Sequence, residues 1–460
     1  MPSTANSNNI ATQLLNAIWL AAQGNEQLLN RVAFTGMGEL PSVFAVTDLA
    51  AASMGAAGLA LSSLIDAMDS TVTRDSTDTV SAPAGLGAAF KSDAAPTSRS
   101  ASSKTVTVDR RLASFWFAYS LRPIGWKPPS AEDFVMGDYE TSDGWIRLHT
   151  NAPHHRAAAL RALQLTAPSE RADIAQAVAT WPADALEAKV LAEGGCAATM
   201  RSWQDWQAHP HGQAVLSEPL LHWQSGAEIE KPLWSFNRSR PLQGLKVLDM
   251  TRVLAGPSAT RMLAGLGAEV LRVDPPWWDE PTLAPEMTLG KRCTRLDLRN
   301  PSERERWISL LSEADVLVHG YRSDALSSLG LDAAQRQTIR PGLVDISLDA
   351  YGFTGPWKNR RGYDSVVQMM NGMTHDWAGC AGAGGASATG VAAAGFSATT
   401  GVGAGVALRH AGGVLEEGQA IHPRANVAGG EQREGAESEE GAEGGDEAGE
   451  NEEFDGRVEQ

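Results

Sequence analysis

The feature that most constrains the fold is an alternation of short apolar runs and helical patterns between residues 240 and 352. The apolar runs are "KVLDM" (246–250), "EVLRVD" (269–274), "DVLVHG" (315–320) and "GLVDISLDAYG" (342–352). Buried strands separated by helices of this length are typical of a mostly parallel, doubly wound sheet. The sequence therefore predicts an α/β fold, with a Rossmann-like parallel sheet over residues 240–376.

The first half of the chain predicts three further segments. Residues 1–65 are Ala/Leu-rich with helical spacing, and residues 66–107 form a Ser/Ala-rich linker with little apolar content. Residues 108–235 contain "DGWIRLHTN", a turn into an alternating strand that is followed by a helical pattern. We expect a smaller α+β domain there.

After Trp377 the apolar periodicity ends, and residues 377–460 are rich first in Gly and Ala and then in Glu. Such a composition cannot bury enough apolar surface to offset the entropy of ordering, so we expect disorder. Residues 416–460 carry 15 acidic and 3 basic side chains, a net of −12 out of −17 for the chain. The remaining −5 leaves the body only mildly acidic, without the basic stripe that nucleic-acid binding needs.

Other broad classes are disfavoured as well. The three cysteines are scattered and form no CxxC pair, which argues against a disulfide framework or a metal site and fits a reducing compartment. The apolar run at residues 49–65 is rich in Ala, Gly and Ser, so we expect a buried helix and no membrane span. The first residues lack the pattern of a targeting signal, which predicts a cytoplasmic protein; a mitochondrial location stays open.

The turn "TRVLAGPSA" (251–259) follows the first strand and precedes a helix that begins near Ser258. It lacks the GxGxxG pattern with which dinucleotide folds approach a pyrophosphate, so a nicotinamide or flavin oxidoreductase is disfavoured. The free N–H groups of the helix suit a phosphate or carbonyl oxygen. Periodicity alone favours an ordinary strand-to-helix turn.

Basic residues follow the later strands. Lys291, Arg292, Arg295 and Arg299 lie within nine residues, a set that could cradle an anion or belong to a solvated loop. Two more basic loops contain Arg322 and the pair Arg360 and Arg361. Because the carboxyl ends of parallel strands share one sheet edge, we expect the three loops to converge on a phosphorylated ligand.

These motifs, in order, resemble the class III CoA-transferase family (CaiB/BaiF type), which includes formyl-CoA and carnitine CoA-transferases and methylacyl-CoA racemase. The resemblance covers "PLQGLKVLDMTRVLAGPSATRMLAGLGAEVLRVD", "GKRCTRLDLRNPSERE", "ADVLVHGYRSDALSSLGL", "PGLVDISLDAYGFTGPW" and "RRGYDSVVQMMNG", about residues 241–373. The first half resembles the smaller domain, which normally follows this segment. The resemblance therefore implies a degenerate first unit fused to the start of a second.

The resemblance implies an interlocked homodimer. Its expected ligands are coenzyme A as a substrate, in the form of an acyl-CoA, and a carboxylic acid. No metal is expected. Pro275 and Gly320 stand where many members have Arg and Asn. Carried over motif by motif, the expected coenzyme contacts are Leu254, Ala255, Leu296, Asp297, Leu298, Arg299, Gly320, Tyr321, Arg322, Arg360, Arg361, Gly362 and Tyr363.

The family nucleophile is an aspartate about thirty residues beyond the "RRGYD" motif, and no catalytic residue is assigned here. No aspartate occurs between Asp376 and Asp446, and Asp376 comes too early by the family's spacing. The racemase branch has a histidine where this chain has Tyr363, which favours transfer over racemisation; Tyr363 could equally serve packing alone. The resemblance implies an impaired CoA-transferase, or alternatively an inactive CoA-binding or heteromeric partner subunit.

The loss of the nucleophile coincides with the loss of periodicity near Gly379, and we expect a changed reading frame as its cause. A genuine disordered acidic tail is the alternative. Translating the genomic DNA in all three frames beyond codon 379 checks this expectation. A continuation with an aspartate and an amphipathic helix in another frame is expected, and its absence from every frame would favour the tail.

Overall fold

The computed structural model describes residues 4–40, 42, 44–75, 105–117, 120–129, 133–166, 170–226, 237–322 and 324–380. The expected linker lies largely outside these residues, and the expected low-complexity tail lies outside them beyond residue 380. The disorder that we expect in the tail therefore stays a prediction.

The N-terminal segment contains α1 (Thr4–Ala21), a 3₁₀ turn (Glu26–Arg31), β1 (Val32–Thr35) and α2 (Val46–Asp75). The strand β2 (Val106–Asp109) pairs in parallel with β1 and leads into α3 (Arg110–Ser114) and a short 3₁₀ turn (Phe115–Phe117). The helix α2 thus continues beyond the boundary at residue 65 that the sequence predicts. The strand β2 belongs with this segment and not with the smaller sheet.

By length and composition alone, Val46–Asp69 could cross a bilayer, and half of its most apolar window is buried inside the protein. The core helix of a soluble protein can have the same length and composition. In the fold, Leu49 and Leu59 of α2 pack against Leu14 and Trp19 of α1. This packing agrees with the buried helix that the sequence predicts, while the absence of a membrane contact stays a prediction.

The smaller α+β unit is built on an antiparallel sheet in the order β3-β4-β5. Its helices pack against the sheet through a core that includes Ile146, Leu148, Ile174 and Leu186. Its elements are β3 (Gly137–Glu140), β4 (Trp145–Leu148), α4 (Pro153–Ala162), α5 (Arg171–Val178), α6 (Ala183–Ala192), β5 (Ala197–Thr199), α7 (Trp203–Ala208) and α8 (Pro210–Leu216).

The main sheet has five strands, all parallel, among the described residues. The elements are β6 (Lys246–Met250), α9 (Ala255–Gly265), β7 (Glu269–Asp274), α10 (Ala284–Met287), β8 (Arg292–Arg295), α11 (Pro301–Ser312), β9 (Val316–His319), a 3₁₀ turn (Ser327–Leu329), α12 (Ala333–Ile339) and β10 (Val344–Ser347). The spatial order β8-β7-β6-β9-β10 corresponds to 3-2-1-4-5, the order of a Rossmann sheet without its sixth strand. The structure confirms the predicted α/β class.

Side chains of the main sheet alternate between two cores. Leu248 and Leu317 pack on one face with Trp307 of α11, and Trp307 is fully buried. Val247 and Val316 point to the other face, where they pack with Ala264 of α9 and with neighbouring apolar side chains. A parallel sheet covered on both faces in this way requires the near-continuous apolar runs that the sequence shows.

Two final helices, α13 (Asp364–Met370) and α14 (Met373–Cys380), follow the last strand. Val366 and Met369 of α13 share a core with Ala198 of β5 and Trp206 of α7. The backbone N–H of Arg201 donates to the carbonyl oxygen of Met369. This packing brings the smaller unit beside the segment that links β10 to α13.

Candidate functional site

The carboxyl ends of the five parallel strands form one edge of the main sheet. The strand order reverses between β6 and its neighbour β9, because the chain proceeds from β6 to β7 on one side and returns to β9 on the other. In open α/β sheets, ligands bind in the crevice outside the strand ends at such a reversal. The candidate site is therefore the set of loops that follow the strands at this edge.

The loop after β6 contains a strained turn. Val253 has φ 64°, a left-handed conformation that is rare for a β-branched residue. Its N–H donates to Oε1 of Glu280 at 2.8 Å, while Oε2 of Glu280 accepts from Nη2 of Arg272 at 2.7 Å. Strained residues of this kind cluster at ligand-binding sites, where the surrounding structure holds them in place.

The turn ends at the two residues that the resemblance assigns to the coenzyme. Leu254 is buried and lies at the N-terminal cap of α9, without a side-chain capping bond, and Ala255 is the exposed first residue of that helix. The first N–H groups of a helix have no partner within the helix. At this turn they are free to bind an oxygen atom of a ligand.

A buried polar cluster lies beneath the turn. Nζ of Lys291 donates to Oδ2 of Asp249 at 2.9 Å, to Oγ1 of Thr260 at 2.7 Å and to the carbonyl oxygen of Pro257 at 2.9 Å. The side chains of Lys291 and Asp249 are both fully buried. Burial lowers the pKa of Lys291, and the neighbouring Asp249 opposes that shift. The cluster joins β6, the start of α9 and the residue that precedes β8.

The four cations of the segment 290–301, which could cradle an anion or belong to a solvated loop, have separate partners in the structure. Lys291 is buried, as described above, and Arg292 lies nearest to Glu269 at 3.7 Å. The segment is also not simply a loop, since it contains the edge strand β8. Arg299 pairs with Asp297 at 2.9 Å, and its guanidinium lies 4.1 Å from the centre of the Trp277 ring.

The other residues expected in this segment have different environments. Leu296 and Leu298 are 7% and 8% exposed and belong to the core, so only their backbone could face a ligand. The pKa of Asp297 is lowered, chiefly by its hydrogen bond to Arg299. Among the four expected contacts at residues 296–299, Arg299 provides an exposed positive charge.

The loop after β9 meets the loop after β6. Gly320 is exposed, and its N–H lies 3.4 Å from the carbonyl oxygen of Met250. Tyr321 accepts a hydrogen bond from Nη2 of Arg252 at 3.1 Å, and the same guanidinium stacks between the rings of Tyr321 and Trp278 at 4.9 and 4.6 Å. Arg322 lies 3.6 Å from Asp324. The structure thus brings Tyr321 beside the first turn.

The segment 360–363 divides between two environments. Arg360 pairs with Glu187 of α6 at 2.6 Å and lies 3.8 Å from the centre of the Trp357 ring, so its charge is already engaged. At Gly362 a Cβ atom would meet Cβ of Ala350 at 2.3 Å, which explains why glycine occupies this position. Arg361 is half-buried and pairs with no carboxylate among the described residues.

Tyr363 lies against a group of histidines from the smaller unit. Its ring stacks on His149 with centroids 4.0 Å apart, and Nδ1 of His149 lies 3.3 Å from Oγ of Ser365. The rings of His155 and Tyr363 are 5.8 Å apart. Burial raises the pKa of Tyr363 well above its usual range, so the phenol stays protonated.

Sequence reasoning missed five residues at this edge: His149, His154, His155, Arg252 and Glu280. The run "HTNAPHH" holds three histidines at the end of β4 and the start of α4, and that density was an available signal. No local signal pointed to Arg252 or Glu280, because their contacts join different loops. Within the described residues, no group of His, Cys, Asp and Glu side chains has the arrangement of a metal site.

The strand order and the loops at the carboxyl edge together define a Rossmann-like α/β segment. Residues 242–423 match the family model of CoA-transferase family III. These residues are therefore similar to CoA-transferase family III. The match extends further than the resemblance over residues 241–373, to a part of the tail that lies outside the described residues.

Curated proteins are similar to parts of the chain as well. Succinyl-CoA:glutarate CoA-transferase of Homo sapiens is 35% identical over 158 residues, which are 32% of this chain and 36% of that protein. An acyl-CoA transferase of Gibberella moniliformis (strain M3125 / FGSC 7600) is 29% identical over 258 residues, 52% of this chain and 45% of that protein. The chain thus spans less than half the length of these relatives.

Among solved structures, a CAIB/BAIF family protein from Brucella suis is 34% identical, with a TM-score of 0.27. The matched part covers 30% of this chain and 40% of that chain. The fold assignment given above depends on the strand order and not on this superposition.

The histidines make folding stability depend on pH. Burial lowers the pKa of His155 to about 4, with repulsion from His154 and Arg361 adding to the shift, and burial lowers that of His149 to about 3. Each imidazole is protonated near pH 6.5 in the unfolded chain but stays neutral in the folded chain, so the unfolded state binds more protons. Stability is therefore expected to fall as the pH decreases from about 6.5 towards 4.

The variant His155→Leu cannot titrate at this position, and the loss of unfolding free energy between pH 7 and pH 4 should shrink by about 3 kcal/mol. Urea denaturation at a series of pH values measures the change. The exposed His375→Gln serves as the control and should leave the profile as it is. An unchanged profile for His155→Leu would show that His155 is not the group that resists protonation.

Proposed function

We propose that the chain binds a coenzyme A thioester at the carboxyl edge of its main sheet, in the manner of an enzyme that moves CoA between an acyl-CoA and a carboxylic acid. The observation that carries the proposal is the strained turn at the strand reversal, within a segment similar to CoA-transferase family III. The named relatives are CoA-transferases for succinyl, glutarate and other acyl groups. Those activities support the substrate class for this chain.

The turn offers the polar groups that a nucleotide carrier needs. The uncapped start of α9 presents N–H groups near Ala255 for a phosphate or carbonyl oxygen. Arg299 supplies an exposed guanidinium beside the Trp277 ring, a surface on which an adenine could stack. The contacts of Glu280 hold the turn in its strained form before any ligand arrives, which reduces the entropy lost on binding.

The chemistry of CoA transfer requires a carboxylate on the protein. Its oxygen attacks the thioester carbonyl, the carbon–sulfur bond breaks, and CoA leaves as a thiolate from a mixed anhydride. The thiolate then attacks the anhydride carbonyl to form an enzyme-linked thioester and release the first acid. The second acid takes the CoA by the reverse of these steps.

The sequence offers no aspartate for this step between Asp376 and Asp446. Asp376 lies on α14, where the carboxylate is 3.4 Å from Nδ1 of the neighbouring His375. We therefore propose that the chain as written binds the coenzyme and forms no acyl-enzyme. The same observation favours a second candidate function, a CoA-binding partner subunit that lacks chemistry of its own.

Calorimetric titration with CoA tests the binding. Arg299→Ala should weaken CoA affinity by roughly tenfold, because it removes one charge-assisted contact at the edge. Arg306→Ala is the matched control, since Arg306 is an equally exposed arginine on α11 for which no coenzyme contact is expected. Failure of the unaltered chain to bind CoA would contradict the proposal.

Hydroxylamine trapping after incubation with an acyl-CoA tests for the missing nucleophile. No protein hydroxamate should form, because an anhydride or an enzyme-linked thioester needs the absent carboxylate. A hydroxamate on an aspartate or glutamate of this chain would show that the catalytic step survives.

A further inference from the structure

The smaller unit contains a pocket beside α4, which we call the α4 pocket. Three polar and three apolar side chains that line it are Asp133, Thr150, Arg156, Pro153, Ala157 and Leu160. They surround a cavity of about 280 Å³. Pockets for small molecules usually measure about 300–1,000 Å³. The α4 pocket is therefore close in size to the smallest of them.

The α4 pocket is separate from the carboxyl edge of the main sheet. Its members on α4 recur at intervals of three and four residues, so they share one face of the helix. His155 belongs instead to the buried face of α4, and its ring lies 5.8 Å from that of Tyr363 at the edge. The pocket and the edge thus use different sides of the same helix.

Thr150 is the first sign that the pocket receives a ligand. The residue is only 1% exposed, and within the described part of the chain its hydroxyl has no hydrogen-bond partner. Buried polar groups without partners are rare in folded proteins. Because Thr150 lines the pocket, a molecule in the pocket can supply the missing partner.

The carboxylate of Asp133 is the second sign. Its Oδ1 accepts from the backbone N–H of Val135 at 3.2 Å and lies 3.5 Å from Nη1 of Arg156. Its Oδ2 is buried, and no described residue donates to it. A carboxylate oxygen is a hydrogen-bond acceptor, so the pocket needs a ligand with a donor at this position.

The charges of the lining select a neutral ligand. Among the described lining residues, the negative charge of Asp133 is balanced by the positive charge of Arg156, whose guanidinium also lies 4.9 Å from the centre of the Phe134 ring. An anion would be repelled by Oδ2 of Asp133, and a cation would be repelled by Arg156. A neutral molecule meets neither cost.

One alcohol group can satisfy both unpaired groups. Its hydrogen can go to Oδ2 of Asp133, and its oxygen can accept from the hydroxyl of Thr150. An ammonium group has no lone pair and could not accept from Thr150. The apolar side chains of the pocket then suit the C–H surface of the same molecule.

We propose that the α4 pocket binds a neutral polyhydroxylated molecule of the sugar class, held through Asp133 and Thr150. This site lies outside the carboxyl edge and takes a ligand of different chemistry. It therefore does not depend on the proposed binding of coenzyme A.

Saturation-transfer difference NMR on the full chain tests the proposal, with methyl glucoside as the probe. Methyl glucuronide, which carries a carboxylate, and choline, which carries a positive charge, are the charged comparisons. The glucoside should give a signal that saturates with concentration. Both charged molecules should bind more weakly, because each meets a like charge in the pocket.

Two variants test the assigned contacts. Thr150→Val removes the hydroxyl and should weaken glucoside binding by roughly tenfold. Its melting temperature should be the same as that of the unaltered chain or higher, because a buried hydroxyl without a partner is lost. Asp133→Asn should weaken binding by a similar factor. With the amide oxygen held by the N–H of Val135, its NH₂ group would replace the acceptor Oδ2 by a donor.

Thr199→Val is the matched control. Thr199 is 8% exposed on β5 of the same unit, its hydroxyl likewise has no partner among the described residues, and it does not line the α4 pocket. This variant should bind the glucoside as the unaltered chain does.

Three results would overturn the inference. One is the absence of glucoside binding to the unaltered chain, and another is equal binding by the unaltered chain and Thr150→Val. The third is binding of the glucuronide or of choline as strongly as the glucoside. Glucoside binding that is lost in Thr150→Val and kept in Thr199→Val would support it.

Discussion

The contact on which the carboxyl edge of the main sheet depends is the buried ion pair between Lys291 and Asp249. Two opposite charges that are fully removed from water are stable only when their remaining hydrogen-bonding capacity is met, and Thr260 and Thr251 supply that capacity through the side chain of Asp249. Removing one partner of such a pair typically costs about 3–5 kcal/mol. The pair joins β6, α9 and the residue before β8. It therefore fixes the position of the turn at residues 251–259 relative to β7 and β8.

The edge gains its chemistry from contacts between loops. Glu280 holds Val253 in a left-handed turn, Arg252 stacks between two aromatic rings, and the histidines beside α4 approach from the smaller unit. These contacts bring backbone N–H donors and arginine side chains to the same edge of the sheet.

Much of the fold could be predicted from the sequence, because β6, β7, β9 and β10 are apolar runs between helical patterns. The strand β8 was missed, since three of its four residues are exposed and an edge strand shows little apolar alternation. The candidate site was predicted less completely. Lys291, which the sequence placed in a cluster that could cradle an anion or belong to a solvated loop, is buried against Asp249. His154 and Arg252 were overlooked because spacing along the chain does not reveal contacts between distant loops.

We propose that the coenzyme binds across the carboxyl edge of the main sheet, over the turn that the buried ion pair supports. Hydrogen–deuterium exchange with and without saturating CoA tests it directly. We expect slower exchange for the backbone amides of residues 251–258, 296–299, 320–322 and 361–363, with little change in the outer helices α11 and α12. Protection confined to other parts of the chain, at CoA concentrations that saturate binding, would contradict binding at this edge.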